Sequence, residues 1–194
     1  VTVFVLDQES KIIFSQQGPA DEFQLFRIHK AIDNALRVDP NHYKVMANDF
    51  NKKRKALVFG GTGLVGGCLV SLLLEDDLYS KVILAVRAPT GIHHAKCEEH
   101  VIDFDQLADY VFLFTVDDAF CCLGTTIKKA KTKDKFLSID YEYPCQIAKL
   151  ADQQQVQNVA VVSSIGSDEK SHNFYLATKG KLEAFLHTIT GPKI

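Results

Sequence analysis

A chain of 194 residues is long enough to bury a full core in one domain of ordinary size, with room for an appendage. With 46% apolar residues, 24% charged residues and a formal charge of -2, it has neither the composition of a disordered segment nor a basic balance, which excludes nucleic acid as a main partner. Its five cysteines are Cys68, Cys97, Cys121, Cys122 and Cys145, an odd count without a CxxC pair or metal-like Cys/His spacing, so reduced thiols and no metal site are expected.

In chain order, residues 1 to 45 read as strand, turn, strand and helix. The runs "VTVFVLD" and "KIIFSQQG" flank the polar "QESK", and Phe23, Phe26, Ile28, Ile32 and Leu36 then recur at helical intervals behind Asp21 as N-cap. This order resembles the last hairpin and helix of thioredoxin-like proteins. The cysteine-bearing half of such a fold is absent, so the resemblance implies no redox activity. Residues 46 to 54 are polar and rich in Asn and Lys, as a linker is, and Met46 is the only methionine. The first 45 residues are therefore expected to be an appendage to the functional fold, or an over-extended start. No basic stretch precedes the first apolar residues, so no signal peptide is read there.

From Lys55 to Ile194, strands alternate with helices. "KALVFGG" is a buried strand and "LVGGCLVSLLLED" a helix; "KVILAVRAP" and "AKCEEHVIDF" hold the second and third strands. "YVFLFTVDDAFCCLG" runs into the fourth, "YPCQIAKLADQQQ" is a helix, "VQNVAVVSS" is the fifth strand and "YLATKGKLEAFLHTI" the next helix. The alternation predicts an α/β fold, a Rossmann-like doubly wound parallel sheet. "YVFLFTV" is far short of the ~20 apolar residues that cross a bilayer, so no membrane partner is expected, and the reduced thiols point to a cytoplasmic location. Cys121 and Cys122 lie in an apolar run and read as buried structural thiols, and His93 and His94 read as part of a solvated loop.

The turn from first strand to first helix is "VFGGTGLVGG". Gly60, Gly63 and Gly66 have the spacing for a tight turn, close backbone approach to a pyrophosphate, and helix packing on strand; Thr62, Leu64 and Val65 complete the loop whose N–H groups face phosphates. Arg87, at the end of the second strand, suits a ribose 2′-phosphate and so favours NADP(H), with NAD(H) the alternative; a plain surface arginine is the bland reading. Asp103 and Phe104, after the third strand, are candidates for the adenine edge, although Asp103 reads equally well as a helix cap. Leu123, Gly124 and Thr125 end the fourth strand where a cofactor crosses the sheet, and a simple strand-end turn would use the glycine too.

Tyr175 and Lys179 are spaced i and i+4, so a helix puts both on one face. An ammonium beside a phenol favours tyrosinate, which suits Tyr175 to exchange a proton with a carbonyl or alcohol. Lys179 is also placed to bond a nicotinamide ribose. Ser163 and Ser164 end the fifth strand, where a hydroxyl would hold the substrate oxygen. The alternative for Tyr175 is a half-buried aromatic with its hydroxyl in water.

Together "FGGTGLVGG", "VILAVR", "VIDF", "CLGTT" and "VVSSIGSDEKSHNFYLATKGKLE" resemble the atypical short-chain dehydrogenases/reductases, in the subgroup of Tat-interacting-protein-like oxidoreductases, over residues 55 to 194. The resemblance implies a Rossmann fold binding NADP(H) at the Gly60 to Gly66 loop, and a Ser-Tyr-Lys set at Ser164, Tyr175 and Lys179, with Ser163 the fallback. Family members continue into a sixth strand and an "RP" motif, whereas this chain stops at "TGPKI", so a C-terminally truncated sheet and an incomplete substrate pocket are expected. The expectation is an NADP(H)-dependent oxidoreductase of a small carbonyl or alcohol, with a homo-oligomer open. Its alternative is a non-catalytic NADP(H)-sensing or regulatory interaction protein.

Overall fold

The computed structural model describes residues 2–6, 12–17 and 53–189. Strands β1 (Thr2–Leu6) and β2 (Ile12–Gln17) pair antiparallel. The helix expected over 20 to 38, Met46, and the last residues of "TGPKI" lie outside the described residues.

The second sheet contains β3 (Arg54–Phe59), β4 (Tyr79–Val86), β5 (Cys97–Val101), β6 (Asp118–Cys121) and β7 (Asn158–Val161). All its pairings are parallel, in the order β5-β4-β3-β6-β7. The chain therefore winds outward from β3 through β4 to β5, then returns to the other side of β3. The reversal between β3 and β6 is a topological switch point, and ligands of open α/β sheets bind in the crevice at the C-terminal ends of such strands.

Alternate residues of each strand serve opposite cores. Ala56, Val58, Val82 and Leu84 pack with Leu69, Val70 and Leu73 of α1 (Leu64–Glu75). Leu57, Phe59, Ala119 and Cys121 face Ile147 of α4 (Tyr143–Gln153) and Leu182 of α5 (Phe174–Leu186). The short helices α2 (Ile127–Ala130) and α3 (Lys133–Leu137) precede α4. A strand buried on both faces must be apolar throughout, which is why "ALVF" reads as an unbroken run.

Two local departures from the sequence reading matter. Where helix-to-strand material was expected, Phe104–Phe114 is a kinked 3₁₀ segment, and β6 does not begin until Asp118. Ahead of α4, the path is already helical from Lys133 and passes through a π-helical turn, Ser138–Glu142. Pro144 accounts for this: it has no N–H for an i→i−4 bond, and a locally widened turn absorbs the missing partner. Asp140 lies within that turn.

At the N-terminal end of the sheet, the fully buried Asp118 carboxylate accepts from the Arg54 fork, from the Tyr79 hydroxyl at 2.9 Å and from Asn158 Nδ2 at 2.7 Å. One side chain thereby joins four adjacent strand starts. Burial, then the neighbouring Asp118 charge, push the Tyr79 phenol well up, so it stays a donor.

Candidate dinucleotide-binding and active site

The loop between β3 and α1 lies at the switch point. Gly60 has φ +77°, and a Cβ there would come within 2.7 Å of the Cys122 carbonyl. The backbone of the loop thus lies directly on the strand-end turn after β6, a position open only to glycine. A Cβ on Gly66, in the first turn of α1, would overlap the Gly60 carbonyl oxygen, which already accepts from Gly63 N–H at 3.0 Å. Thr62, Gly63 and Leu64 are exposed and Val65 half-buried, so the backbone at the positive end of α1 opens to solvent. This cradle fits a dinucleotide pyrophosphate: glycine backbone, free surface and a helix N-terminus coincide.

Across the crevice, α5 carries Tyr175 and Lys179 one turn apart. Its start is fixed by Asn173, whose side chain accepts from the N–H groups of Tyr175 and Leu176. The half-buried Tyr175 ring packs on Phe136 at 5.8 Å between centroids. Lys179 is only 2% exposed; its ammonium lies 2.9 Å from Asp140 Oδ1 and 3.5 Å from the Val162 carbonyl. Asp140 Oδ2 in turn accepts from Thr125 N–H at 2.8 Å. Gly60 thus lies against the Cys122–Thr125 turn, and from that turn contacts run through Asp140 to Lys179.

The two serines lie just beyond β7 and differ. Ser163 donates its hydroxyl to Glu183, which also takes Ser167 at 2.5 Å, so Ser163 ties the strand end to α5 and its proton is already engaged. Ser164 makes only a long contact, 3.4 Å, to the Ile165 carbonyl. Of the pair, Ser164 keeps a hydroxyl that little in the protein holds.

Arg87 is exposed immediately after β4, and Leu123, Gly124 and Thr125 line the turn after β6. The remaining two candidates are used otherwise. Asp103 caps the 3₁₀ segment, accepting from Asp105 N–H at 2.9 Å and from Gln106 at 3.1 Å. The Phe104 ring is core, against Phe59 and Tyr143, because a large aromatic next to a cap is drawn into the apolar interior; its side chain does not offer an adenine contact. Burial pushes the Cys121 thiol up to about 11, while Cys122 is half-buried against the other core; His93 and His94 are exposed. Among the described residues no helix is long and apolar enough to cross a membrane, and no cluster of His, Cys, Asp or Glu could hold a metal ion.

Three side-chain roles escaped the sequence reading: Asp140, Glu183 and Gly180. A Cβ on Gly180 would overlap the backbone of Asp168 and Glu169, so the loop after Ser164 crosses α5 right beside Lys179. A glycine following Y-x-x-x-K was the available signal for it.

No family model matches the chain. Protein HTATIP2 of Rattus norvegicus is 33% identical over 144 residues, 72% of this chain and 59% of that protein. This likeness supports the reading of the chain as an atypical short-chain dehydrogenase/reductase. The mitochondrial protein FMP52 of Meyerozyma guilliermondii is 31% identical over 141 residues, 72% of this chain and 61% of that protein. The chain thus spans about three fifths of the length of these two curated relatives. The fold of Bordetella bronchiseptica WbmG, solved with NAD, matches at a TM-score of 0.60 and 14% identity, over 73% of this chain and 52% of that one. Helicobacter pylori ADP-L-glycero-D-manno-heptose-6-epimerase matches at 0.58 and 18% identity, over 70% and 51%. The expected cytoplasmic location is overturned, since relatives from several yeasts carry mitochondrial names. Unpaired cysteines argue against an oxidising compartment and do not choose among the reducing ones.

Proposed function

We propose that the chain carries the dinucleotide-binding and proton-transfer half of a nicotinamide-dependent oxidoreductase acting on a small carbonyl or alcohol. The observation behind this reading is the line of contacts across the switch point, which links the glycine loop to a buried lysine one turn from Tyr175. The Gly60 to Gly66 backbone receives the pyrophosphate. Arg87, exposed at the end of β4, pairs with a ribose 2′-phosphate, so NADP(H) is preferred over NAD(H). When bound, the nicotinamide supplies or accepts the hydride.

The chain's own residues manage the proton and the orientation. Ser164 holds the substrate oxygen, and Tyr175 gives that oxygen a proton in reduction or takes one in oxidation. The remaining N–H donors of Lys179 hold the ribose. The mitochondrial names of the yeast relatives support a mitochondrial setting for this activity.

The test is NADPH-dependent turnover on a panel of aldehydes and ketones. The expected result for Tyr175→Phe is a fall in kcat of about 10²- to 10⁴-fold with dinucleotide affinity nearly unchanged. Turnover equal to the parent chain would remove Tyr175 from the mechanism.

A further inference from the structure

Asp140 is a buried carboxylate near the crevice, 1% exposed, on a π-helical turn that belongs to neither the glycine loop nor α5. Its two oxygens have different duties. Oδ2 takes a well-formed hydrogen bond from Thr125 N–H, while Oδ1 lies 2.9 Å from the Lys179 ammonium yet makes no aligned hydrogen bond. Oδ1 is also just beneath Gly124, where an added Cβ would stand 3.6 Å away. A carboxylate and an ammonium both removed from water are costly unless each satisfies the other, so a pair kept here binds its two elements firmly. The contact with the Val162 carbonyl is long at 3.5 Å, and an ammonium has three N–H donors, so Lys179 retains donor capacity after meeting Asp140.

We infer that Asp140 is a positioning residue: it holds the Lys179 ammonium in fixed relation to the Gly124–Thr125 turn, so that a nicotinamide ribose crossing the turn meets a donor already in place. The role rests on the dinucleotide-binding reading above, and it acts through Lys179. Asp140 itself touches neither cofactor nor substrate. The other titratable groups around the pair are Cys121 on β6, Tyr175 and Glu183 on α5, and, behind Cys121, Cys145 on α4. Burial pushes the two thiols up to about 11 and about 12, so neither changes charge between pH 6 and 9.

The experiment is calorimetric binding of NADP⁺ to the parent chain, Asp140→Asn, Lys179→Met and the double variant, with urea unfolding of all four. Asparagine keeps an acceptor for Thr125 N–H and removes the charge, which separates the two duties. Each single variant is expected to bind about 10- to 100-fold more weakly, and the double variant no more weakly than Lys179→Met alone. Asp140→Glu, which keeps the charge, should recover most of the affinity that Asp140→Asn loses. A Lys179→Met chain that folds poorly alone but well with Asp140→Asn supports the same coupling.

Additive losses in the double variant, or an Asp140→Glu chain as weak as Asp140→Asn, would overturn the inference and leave Asp140 as an anchor for the turn. A coupled pair in a chain that binds NADP⁺ but reduces no carbonyl supports this role while defeating the oxidoreductase reading. Turnover with additive losses does the reverse.

Discussion

β6 begins and continues past its end beside two buried carboxylates, and the contrast between them separates support from function. Asp118, at the N-terminal end of the sheet, is surrounded by donors from Arg54, Tyr79 and Asn158, with both oxygens used. Asp140, at the C-terminal end, has one good hydrogen bond and one ion pair with an unaligned oxygen. A saturated buried carboxylate fixes strands; one that holds a lysine by a single oxygen leaves ammonium donors for something that arrives later. The position of the switch point says which end that is.

The contrast can be broken by removing each end in turn. Asp118→Ala leaves the Arg54 guanidinium and the buried Tyr79 hydroxyl unpaired, and is expected to cost about 3–5 kcal/mol in urea unfolding while the dinucleotide affinity of the folded fraction stays the same. A large loss of affinity at constant stability would mean that the two ends are not separable. Gly180→Ala, beside Lys179, forces the Asp168–Glu169 backbone off the helix; overpacking of this kind costs about 1–3 kcal/mol, and here it should lower kcat as well. Stability lost with kcat intact would make that crossing merely structural. The smallest effect expected is on selectivity: Arg87→Asp should shift the NADPH-to-NADH affinity ratio toward NADH by about 10- to 100-fold without altering the unfolding midpoint.

Features carried by neighbouring residues were legible in the sequence. The apolar run of β3, the glycines after it and the Tyr175 to Lys179 spacing all express local geometry, and the parallel order of strands and helices followed from their alternation. Features that depend on where a side chain points across the fold were not. Asp103, Phe104 and Ser163 were placed at the right strand ends, but a cap, an aromatic core and Glu183 take up their side chains. Asp118 and Asp140 carried no signal, because an aspartate in a turn or at a strand start looks ordinary until partners from distant segments close around it. The π turn that presents Asp140 arises from Pro144, whose effect on a continuing helix depends on whether the preceding residues are helical at all.

The central claim, that the crevice at the β3–β6 switch point is a dinucleotide site, rests most directly on Gly63. This residue is exposed, and a Cβ there makes only one close approach, 3.3 Å to the Gly60 carbonyl, so a side chain would project toward the pyrophosphate with little strain. Isothermal titration of NADPH into Gly63→Asp and the parent chain measures it. The account predicts clear binding to the parent and a loss of about 100-fold or more in the variant, since a like charge against a phosphate costs several kcal/mol, with unfolding unchanged. Equal affinity in the two proteins would place the dinucleotide elsewhere and contradict the account.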